Sequence, residues 1–187
     1  MDAAYRLGLT TVAGRALLAQ AQDGLARAET LGQAQDIMRS AARRLVDAQG
    51  ATVVLYEDGQ CFYADEDAIS PLWKGQRFPA EQCISGWAMI HGEPAIVRDT
   101  TVDERIPQDA YRPTFVRSLA MVPVGGTAPI GAIGAYWAAP RAVPQREVAL
   151  LMGLAAAAYP ALRRLLPDGG TPVPAELRDS SHRAVPG

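Results

Sequence analysis

Apolar residues recur at helical spacing near both ends of the 187-residue chain. Residues 2–27 are rich in alanine, leucine and glutamine, which predicts one helix, and Thr30 with Gln33 is a capping-box pair that begins a second. Towards the C-terminus, we expect Pro144 to be the first residue of a final amphipathic helix, which Pro160 should kink or end. The pattern therefore predicts helices at both ends of the chain.

The middle of the chain has the period of two that is typical of strands. An Asp58-Gly59 turn between residues 52–56 and 61–64 predicts a hairpin. Further strands are expected at residues 95–97, 118–124 and 130–137, the last two joined by Gly125-Gly126. Because turns join most consecutive strands, the pattern predicts a central antiparallel sheet with helices on its faces, an α+β fold.

Less regular segments lie between these strands. Residues 65–79 are polar and interrupted by proline, which predicts a loop that covers an apolar surface. Residues 82–91 predict a short helix, ended by a glycine. Residues 99–116 predict turns and a single helical turn, with Thr101 and Glu104 as a capping-box pair.

Composition divides the chain into three parts. We predict an N-terminal helix over residues 1–30, one domain over 31–166 and a disordered tail over 167–187. The second helix should stop at Gly50, at the entrance to the hairpin. The tail is dense in proline, glycine and small polar residues, so it has too few apolar groups to offset the entropy of ordering.

Charge and composition exclude several classes of function. The net charge is −2 and the sequence pI about 5.7, with no basic stripe, so nucleic acid is not an expected partner. No apolar run approaches the roughly 20 residues that cross a bilayer, and we expect a soluble cytoplasmic protein with no membrane partner. The only cysteines are Cys61 and Cys83, which form neither a redox motif nor a zinc knuckle. With His91 and His182 as the only imidazoles, no metal site is predicted.

The order of motifs between residues 83 and 124 resembles the GAF domain family. A helix, glycine stop, short strand and acidic turn run from Cys83 to Asp99, followed by Asp99-x-x-x-Asp103-x-Arg105-Ile106-Pro107 and then Arg117-Ser118-Leu119. The sequence is most similar to sensory GAF modules of bacterial sensor histidine kinases. The resemblance implies about six antiparallel strands, with the terminal helices on one face, often forming a parallel dimer, and a pocket among the irregular segments on the other.

GAF ligands include cyclic nucleotides, haem, bilins and small metabolites, so the resemblance selects no particular cofactor or ligand. Aromatic side chains in the irregular segments and hydroxyls on the strands are candidates for the pocket wall. Alternatively, these side chains fill the cavity themselves. The candidate ligand-binding residues are Trp73, Cys83, Trp87, Asp99, Tyr111, Phe115, Ser118 and Tyr136. Asp99 could also be a purely structural turn residue.

Cys83 invites a chemical interpretation because a helix N-terminus lowers the pKa of a thiol. It could equally be a small apolar filler. Free methionine-R-sulfoxide reductase, an enzymatic GAF family, uses several cysteines around this helix and the following loop. Here residues 100–116 contain no cysteine, and only Cys61 could resolve an oxidised Cys83. Bilin attachment would need an adjacent histidine that this chain lacks, and the arginines of residues 98–117 are a weak signal for cyclic nucleotides.

The leading hypothesis is a non-enzymatic sensory domain that binds a small molecule and signals through its terminal helices to a sensor kinase or another partner. One alternative is a redox sensor or methionine-sulfoxide-reductase-like thiol enzyme centred on Cys83. Another is a structural dimerisation module with a filled pocket. Apolar residues on the terminal helices exceed what one sheet face needs, which predicts a homodimer: Ile37, Met38, Leu45, Leu151, Leu154 and Leu162.

Overall fold

A single antiparallel sheet organises the chain. The computed structural model describes the backbone of residues 3–182 and the side chains of residues 12–178. The strands are β1 (Gly50–Glu57), β2 (Gln60–Ala68), β3 (Arg77–Pro79), β4 (Ala95–Val97), β5 (Ser118–Val124) and β6 (Gly131–Trp137). Their order in the sheet is β3-β2-β1-β6-β5-β4. The predicted α+β fold with about six antiparallel strands is confirmed.

The β1–β2 hairpin forms where the sequence predicts it, with Asp58 and Gly59 at φ 47° and 82°. The positive φ values at both residues match a type I′ turn, which fits the twist of strands joined by a two-residue loop. The predicted loop at residues 65–79 is partly wrong, since β2 continues to Ala68 and β3 occupies its last residues. The polar residues of β2 are stabilised by ion pairs to the helix packed above them, including Arg39 Nε with Asp65 Oδ2 at 2.7 Å.

Three long helices cover one face of the sheet: α1 (Ala3–Arg27), α2 (Leu31–Leu45) and α5 (Gln145–Leu165). They bury the side chains that alternate strand positions direct towards this face, among them Val53, Val122 and Ile133. The capping box at the start of α2 is confirmed, because the Gln33 amide nitrogen donates to Thr30 Oγ1 at 3.2 Å and the reciprocal bond is present.

Several helix boundaries differ from the predictions. α2 ends at Leu45, and Gly50 opens β1 instead of stopping the helix. Pro144 precedes the first helical residue of α5. The helix does not end at Pro160 but continues to Leu165, since Ala158 and Leu162 anchor it in the core on both sides of the exposed proline.

α5 is the one helix in the described part of the chain that is long and apolar enough to cross a membrane. Length and apolar composition alone are weak evidence for a membrane-spanning helix, because the core helix of a soluble protein can have both. In this fold α5 packs against α1, α2 and β5.

The opposite face of the sheet carries α3 (Ile84–His91), α4 (Gln108–Tyr111) and the irregular segments around them. α3 ends at Gly92 with φ 67°, as the sequence predicts. The helical turn expected at Thr101 is absent, and the capping box with Glu104 is wrong. Thr101 donates to Asp99 instead, and α4 begins only after Pro107.

Part of the predicted disordered tail is ordered. Pro167–Gly169 form a short 3-10 turn, and α6 (Ala175–His182) packs against α3. Val173 is buried, and its amide nitrogen donates to the Pro129 carbonyl at 2.8 Å. The prediction of a disordered tail is therefore wrong for residues 167–182, because Val173 and Leu177 pack on the apolar cluster of this face. Residues 183–187 lie outside the described chain.

Candidate functional site

An aromatic cluster occupies the face of the sheet opposite the three long helices. Trp73, which is 4% exposed, lies at its centre. Its ring centroid lies 5.5 Å from that of Tyr63, 4.7 Å from Tyr111 and 5.6 Å from Tyr136. The indole nitrogen donates to the Ala110 carbonyl at 3.2 Å. The segment that carries Trp73 is thus tied to α4, which covers the same face.

A carboxylate that sequence reasoning missed holds the Trp73 segment in place. Glu66 Oε1 accepts from the Leu72 amide at 3.0 Å, and Glu66 Oε2 accepts from the amides of Trp73 and Lys74, both at 2.9 Å. Bonds from backbone N–H groups to an ionised carboxylate are stronger than those between neutral groups. In the sequence, Glu66 is one of several acidic residues in a polar run, and nothing distinguishes it there.

Three tyrosine hydroxyls are buried in this region, and they differ in their partners. Tyr136 and Thr52 share a hydrogen bond of 2.8 Å, and Tyr63 bonds to Ser85 at 3.2 Å. The Tyr111 hydroxyl is buried without a hydrogen-bond partner among the described residues. Burial raises the pKa of all three phenols, so they remain protonated donors near neutral pH.

A small cavity of about 10 Å³ lies inside this cluster, enough for roughly one water molecule. It is lined by Tyr63, Trp73, Phe78, Cys83, Pro107, Ala110 and Tyr111. Beyond it, an open groove of about 300 Å³ shares Trp73, Phe78 and Ala110 with the cavity. Asp109 is the one charged side chain in the groove wall among the described residues. Aromatic side chains therefore fill most of the space in which a pocket was expected.

Both thiols of the chain are buried in this cluster, and Cys83 lines the cavity. Cys83 is the N-cap residue of α3, and its Sγ lies 3.3 Å from Ser85 Oγ. The interaction with Cys61, together with hydrogen bonds from Ser85 and the first amides of α3, lowers the pKa of Cys83 to about 7 despite burial. The same thiol–thiol interaction, added to burial, raises the pKa of Cys61.

The structure brings together only some of the predicted site residues. Trp73, Cys83, Tyr111 and Tyr136 belong to the buried apolar cluster on this face. Trp87 is half-buried on the outer side of α3, where its ring stacks on His91 at 4.1 Å and lies beneath the Arg105 guanidinium at 4.8 Å. Trp87 does not line the cavity, because the helix turns its side chain towards solvent.

Asp99 and Ser118 have structural partners away from the cavity. Asp99 accepts hydrogen bonds from the side chain and amide of Thr101, and these, with attraction to Arg117, hold its pKa below the usual range. The Ser118 hydroxyl donates to the Ala139 carbonyl at 2.8 Å. Local turn geometry therefore accounts for both side chains.

Phe115 packs at the margin of the aromatic face, next to Gly50 at the start of β1. A Cβ added at Gly50 would come within 3.0 Å of the Phe115 ring. Phe115 therefore supports the entrance of β1 and is not among the residues that line the cavity.

Another depression is remote from this cluster. It measures about 520 Å³ and lies between α1, the end of α2 and the start of α5. Its floor is apolar, with Leu18 and Leu150, and its rim carries Arg15, Arg44 and Arg146. In the described chain, no group of three or more His, Cys, Asp or Glu side chains could hold a metal ion.

Comparison with known proteins identifies the fold family. The family model described as the GAF domain matches residues 28–163, more than half of the chain. The chain belongs to the GAF domain family. No curated protein matches this GAF domain.

Solved structures with the same fold come from different functional settings. The GAF domain of a phosphoenolpyruvate-protein phosphotransferase from Coxiella burnetii has a TM-score of 0.70 at 17% identity, covering 82% of this chain and 96% of that one. Free methionine-R-sulfoxide reductase from Neisseria meningitidis, solved with its substrate, has a TM-score of 0.68 at 16% identity, covering 94% and 93%. A far-red absorbing protein with bound biliverdin IXa has a TM-score of 0.64 at 19% identity, covering 79% and 98%.

At these identities the similarity establishes the fold of this GAF domain and leaves its ligand open. The family includes sensory and chromophore-binding domains, and one of the similar structures is an enzyme. The chemistry of this chain must therefore be argued from its own residues.

Proposed function

We propose that this GAF domain is a non-enzymatic cytoplasmic sensor that binds a small organic molecule at the Trp73 cluster. Its terminal helices then pass occupancy to a sensor kinase or another signalling partner. The observation that carries the proposal is the buried Tyr111 hydroxyl, which has no partner among the described residues and belongs to a side chain that lines a small cavity beside an open groove. A buried hydroxyl without a partner costs free energy, which a polar atom of a ligand would recover.

Binding requires the cavity to open. Its volume of about 10 Å³ is far below the roughly 300–1,000 Å³ of ordinary ligand pockets. Trp73 and Ala110 line both the cavity and the groove, and the hydrogen bond from the Trp73 indole to the Ala110 carbonyl joins the two segments. A ligand that enters between them favours an open state over the closed one, and this differential affinity is what a sensor transmits.

The walls indicate the chemical class of the ligand. Aromatic rings provide flat contact surfaces, and Tyr111 provides one polar anchor. The nearby cations Arg105 and Arg117 are already paired with Asp103 and Asp99. Because the groove presents only the Asp109 carboxylate, we favour a neutral or cationic planar molecule over a phosphate ester such as a cyclic nucleotide.

Replacing Ala110 with phenylalanine should abolish binding. The added ring would project into the cavity and groove, whereas the Ala110 carbonyl could still accept from Trp73. We expect native mass spectrometry to detect a retained small molecule on the wild-type protein and none on Ala110→Phe. Ala142→Phe, the same change at an exposed loop position, is the control and should retain it. An equally occupied Ala110→Phe would refute this location, and a visible absorption band would identify a haem or bilin.

We further propose that α1 and α5 form a homodimer interface. Only 39% of the most apolar window of α5 is buried within one chain. Ala149, Met152 and Ala156 are exposed at helical spacing on its outer side, and Val12 on α1 is 66% exposed. Apolar surface of this kind is stabilised when a second copy covers it.

Light scattering at micromolar concentration should therefore give the mass of a dimer. Met152→Glu places a charge in the proposed interface and should yield a monomer, because burying an unpaired carboxylate is costly. Val102→Glu is the matched control, since Val102 is exposed in the segment after β4, outside both terminal helices, and its variant should stay dimeric. A monomeric wild-type protein would contradict the interface.

The second candidate function is a structural dimerisation module without a ligand, and the nearly filled cavity favours it. The two candidates give different outcomes. If the domain is a sensor, the wild-type protein binds a small molecule and the Ala110→Phe variant does not. If it is a structural module, it dimerises normally and neither protein binds a small molecule.

A further inference from the structure

We propose that the groove between the three long helices binds an amphipathic anion, namely an aliphatic chain that carries one carboxylate. The groove lies between α1, the end of α2 and the start of α5. Its volume of about 520 Å³ is within the roughly 300–1,000 Å³ of ordinary ligand pockets. Because it belongs to the helical face of the sheet and the Trp73 cluster to the opposite face, this site is independent of the ligand proposed there.

The floor of the groove is apolar and held in place by close helix packing. Leu18 on α1 and Leu150 on α5 line it, and both are half-buried. A Cβ added at Gly14 would lie 3.2 Å from Leu150 Cδ1, and one at Gly153 would lie 2.9 Å from Leu18 Cδ2. Each leucine therefore packs over a glycine of the other helix. This packing leaves a preformed apolar surface on which an aliphatic chain can be removed from water.

The end of α2 supplies the third wall. The helix ends at Leu45, and Asp47, at φ 48°, turns the chain towards β1, so side chains of α1 and α5 bound the space beside this end. Leu45 and Val46 line the groove and are buried in the core of the helical face. None of the described residues that line the groove is aromatic. The walls therefore suit a flexible chain better than a planar ring, which packs best on other rings.

The rim of the groove carries unpaired positive charge. Arg15 on α1, Arg44 on α2 and Arg146 on α5 are exposed, and none of them has an ion-pair or hydrogen-bond partner among the described residues. The other arginine in the wall, Arg141, is paired with Glu147 at 2.7 Å. Guanidinium groups remain charged in proteins and bind carboxylates through paired hydrogen bonds. Each of the three long helices thus offers one free cation to a ligand in the same groove.

The charges favour an anion over a second copy of the chain. Asp47 is the one acid in the described wall without a paired cation, so positive charge predominates at the rim of a chain whose net charge is −2. A two-fold contact centred on the groove would set this rim against an identical rim. Of the residues named for the proposed homodimer surface, only Ala149 lines the groove. A dimer can therefore form beside it, while a bound carboxylate links three helices.

Isothermal titration calorimetry with dodecanoate, kept below the concentration at which it forms micelles, tests the proposal on the wild-type protein. We expect saturable binding that weakens by up to about fourfold for each methylene lost from the chain, as in decanoate and octanoate. Acetate has the carboxylate without the chain, and dodecyltrimethylammonium has the chain with a positive head. Neither should bind. Equal binding of dodecanoate and the cationic amphiphile would overturn the proposal, because it would show apolar association without recognition of charge.

Charge variants locate the site. Arg15→Gln, Arg44→Gln and Arg146→Gln should each weaken dodecanoate binding about two- to fivefold, which corresponds to the loss of an exposed ion pair. Asp47→Asn should strengthen it, because it removes the unpaired acid and asparagine tolerates the positive φ. Arg27→Gln serves as the control and should bind as the wild type does, because Arg27 lies about 18 Å along α1 from Arg15.

The Ala110→Phe variant separates this site from the Trp73 cluster. It should lose the small molecule proposed for that cluster and still bind dodecanoate, because the groove lies on the other face of the sheet. Loss of dodecanoate binding in folded Ala110→Phe would place the chain in the aromatic cluster and overturn the groove site. Unchanged binding in the triple arginine variant would overturn it equally. The three arginines are exposed, so this second result decides even if Ala110→Phe folds poorly.

Discussion

Replacing Gly86 with alanine is expected to lower the free energy of unfolding by about 3 kcal/mol or more, as severe overpacking in a core does. A Cβ at this position would lie 1.8 Å from the Ala80 carbonyl oxygen and 2.5 Å from its carbon. Both are main-chain atoms, so no side-chain rotation relieves the contact. α3 would have to move away from the 3-10 turn, which would also displace Cys83. Urea denaturation followed by circular dichroism measures the loss.

Gly32→Ala is the matched control, because the same atom is added within helix α2. No heavy atom lies within 4 Å of the added Cβ. Alanine has the higher helix propensity, so this variant should gain about 0.5–1 kcal/mol. Opposite signs for the two glycines are expected. Similar values would show that α3 does not pack on Ala80 as closely as described.

Trp73→Ala should lower the free energy of unfolding by about 3–5 kcal/mol, the range for removing a large buried aromatic side chain. The indole contacts three tyrosine rings, and those rings are fixed from β2, β6 and α4, so the space cannot collapse completely. We expect a cavity that binds free indole and raises the melting temperature of the variant. Indole should raise the melting temperature of the variant more than that of the wild-type protein, in which the Trp73 side chain itself occupies this space.

Trp87→Ala serves as the control for this second prediction. Its ring is half-buried and contacts His91 and Arg105 on the solvent side of α3. The loss should be about 1–2 kcal/mol, as for partly buried contacts, and indole should not restore it. If the two tryptophan variants lost equal stability and neither responded to indole, the central position assigned to Trp73 would be wrong.

Local signals in the sequence predict local structure well in this chain. The Asp58-Gly59 turn, the Thr30 capping box and the Gly92 helix stop all form as predicted, because each depends on residues a few positions apart. Predictions that depended on one residue type in isolation were weaker. Pro160 does not end α5, since packing on both sides of it outweighs the missing hydrogen bond.

Features that depend on distant contacts could not be read from the sequence. The end of β2 resembles a polar loop until Arg39 is known to pack over Asp65. Glu66 gains its role from a chain reversal that places three amides around its carboxylate. The short strand β3, which pairs with the start of β2, is likewise predicted by no local pattern.

The ordered tail also packs against α3. α6 packs against α3, while α5, which precedes it in the chain, packs on the opposite side of the sheet. The connection through buried Val173 therefore carries the polypeptide from one face to the other. A displacement of α3 by a ligand beside Trp73 has to move α6 or break its contacts. A movement on the aromatic face can therefore be transmitted through α6 to the end of the domain without passing through the sheet.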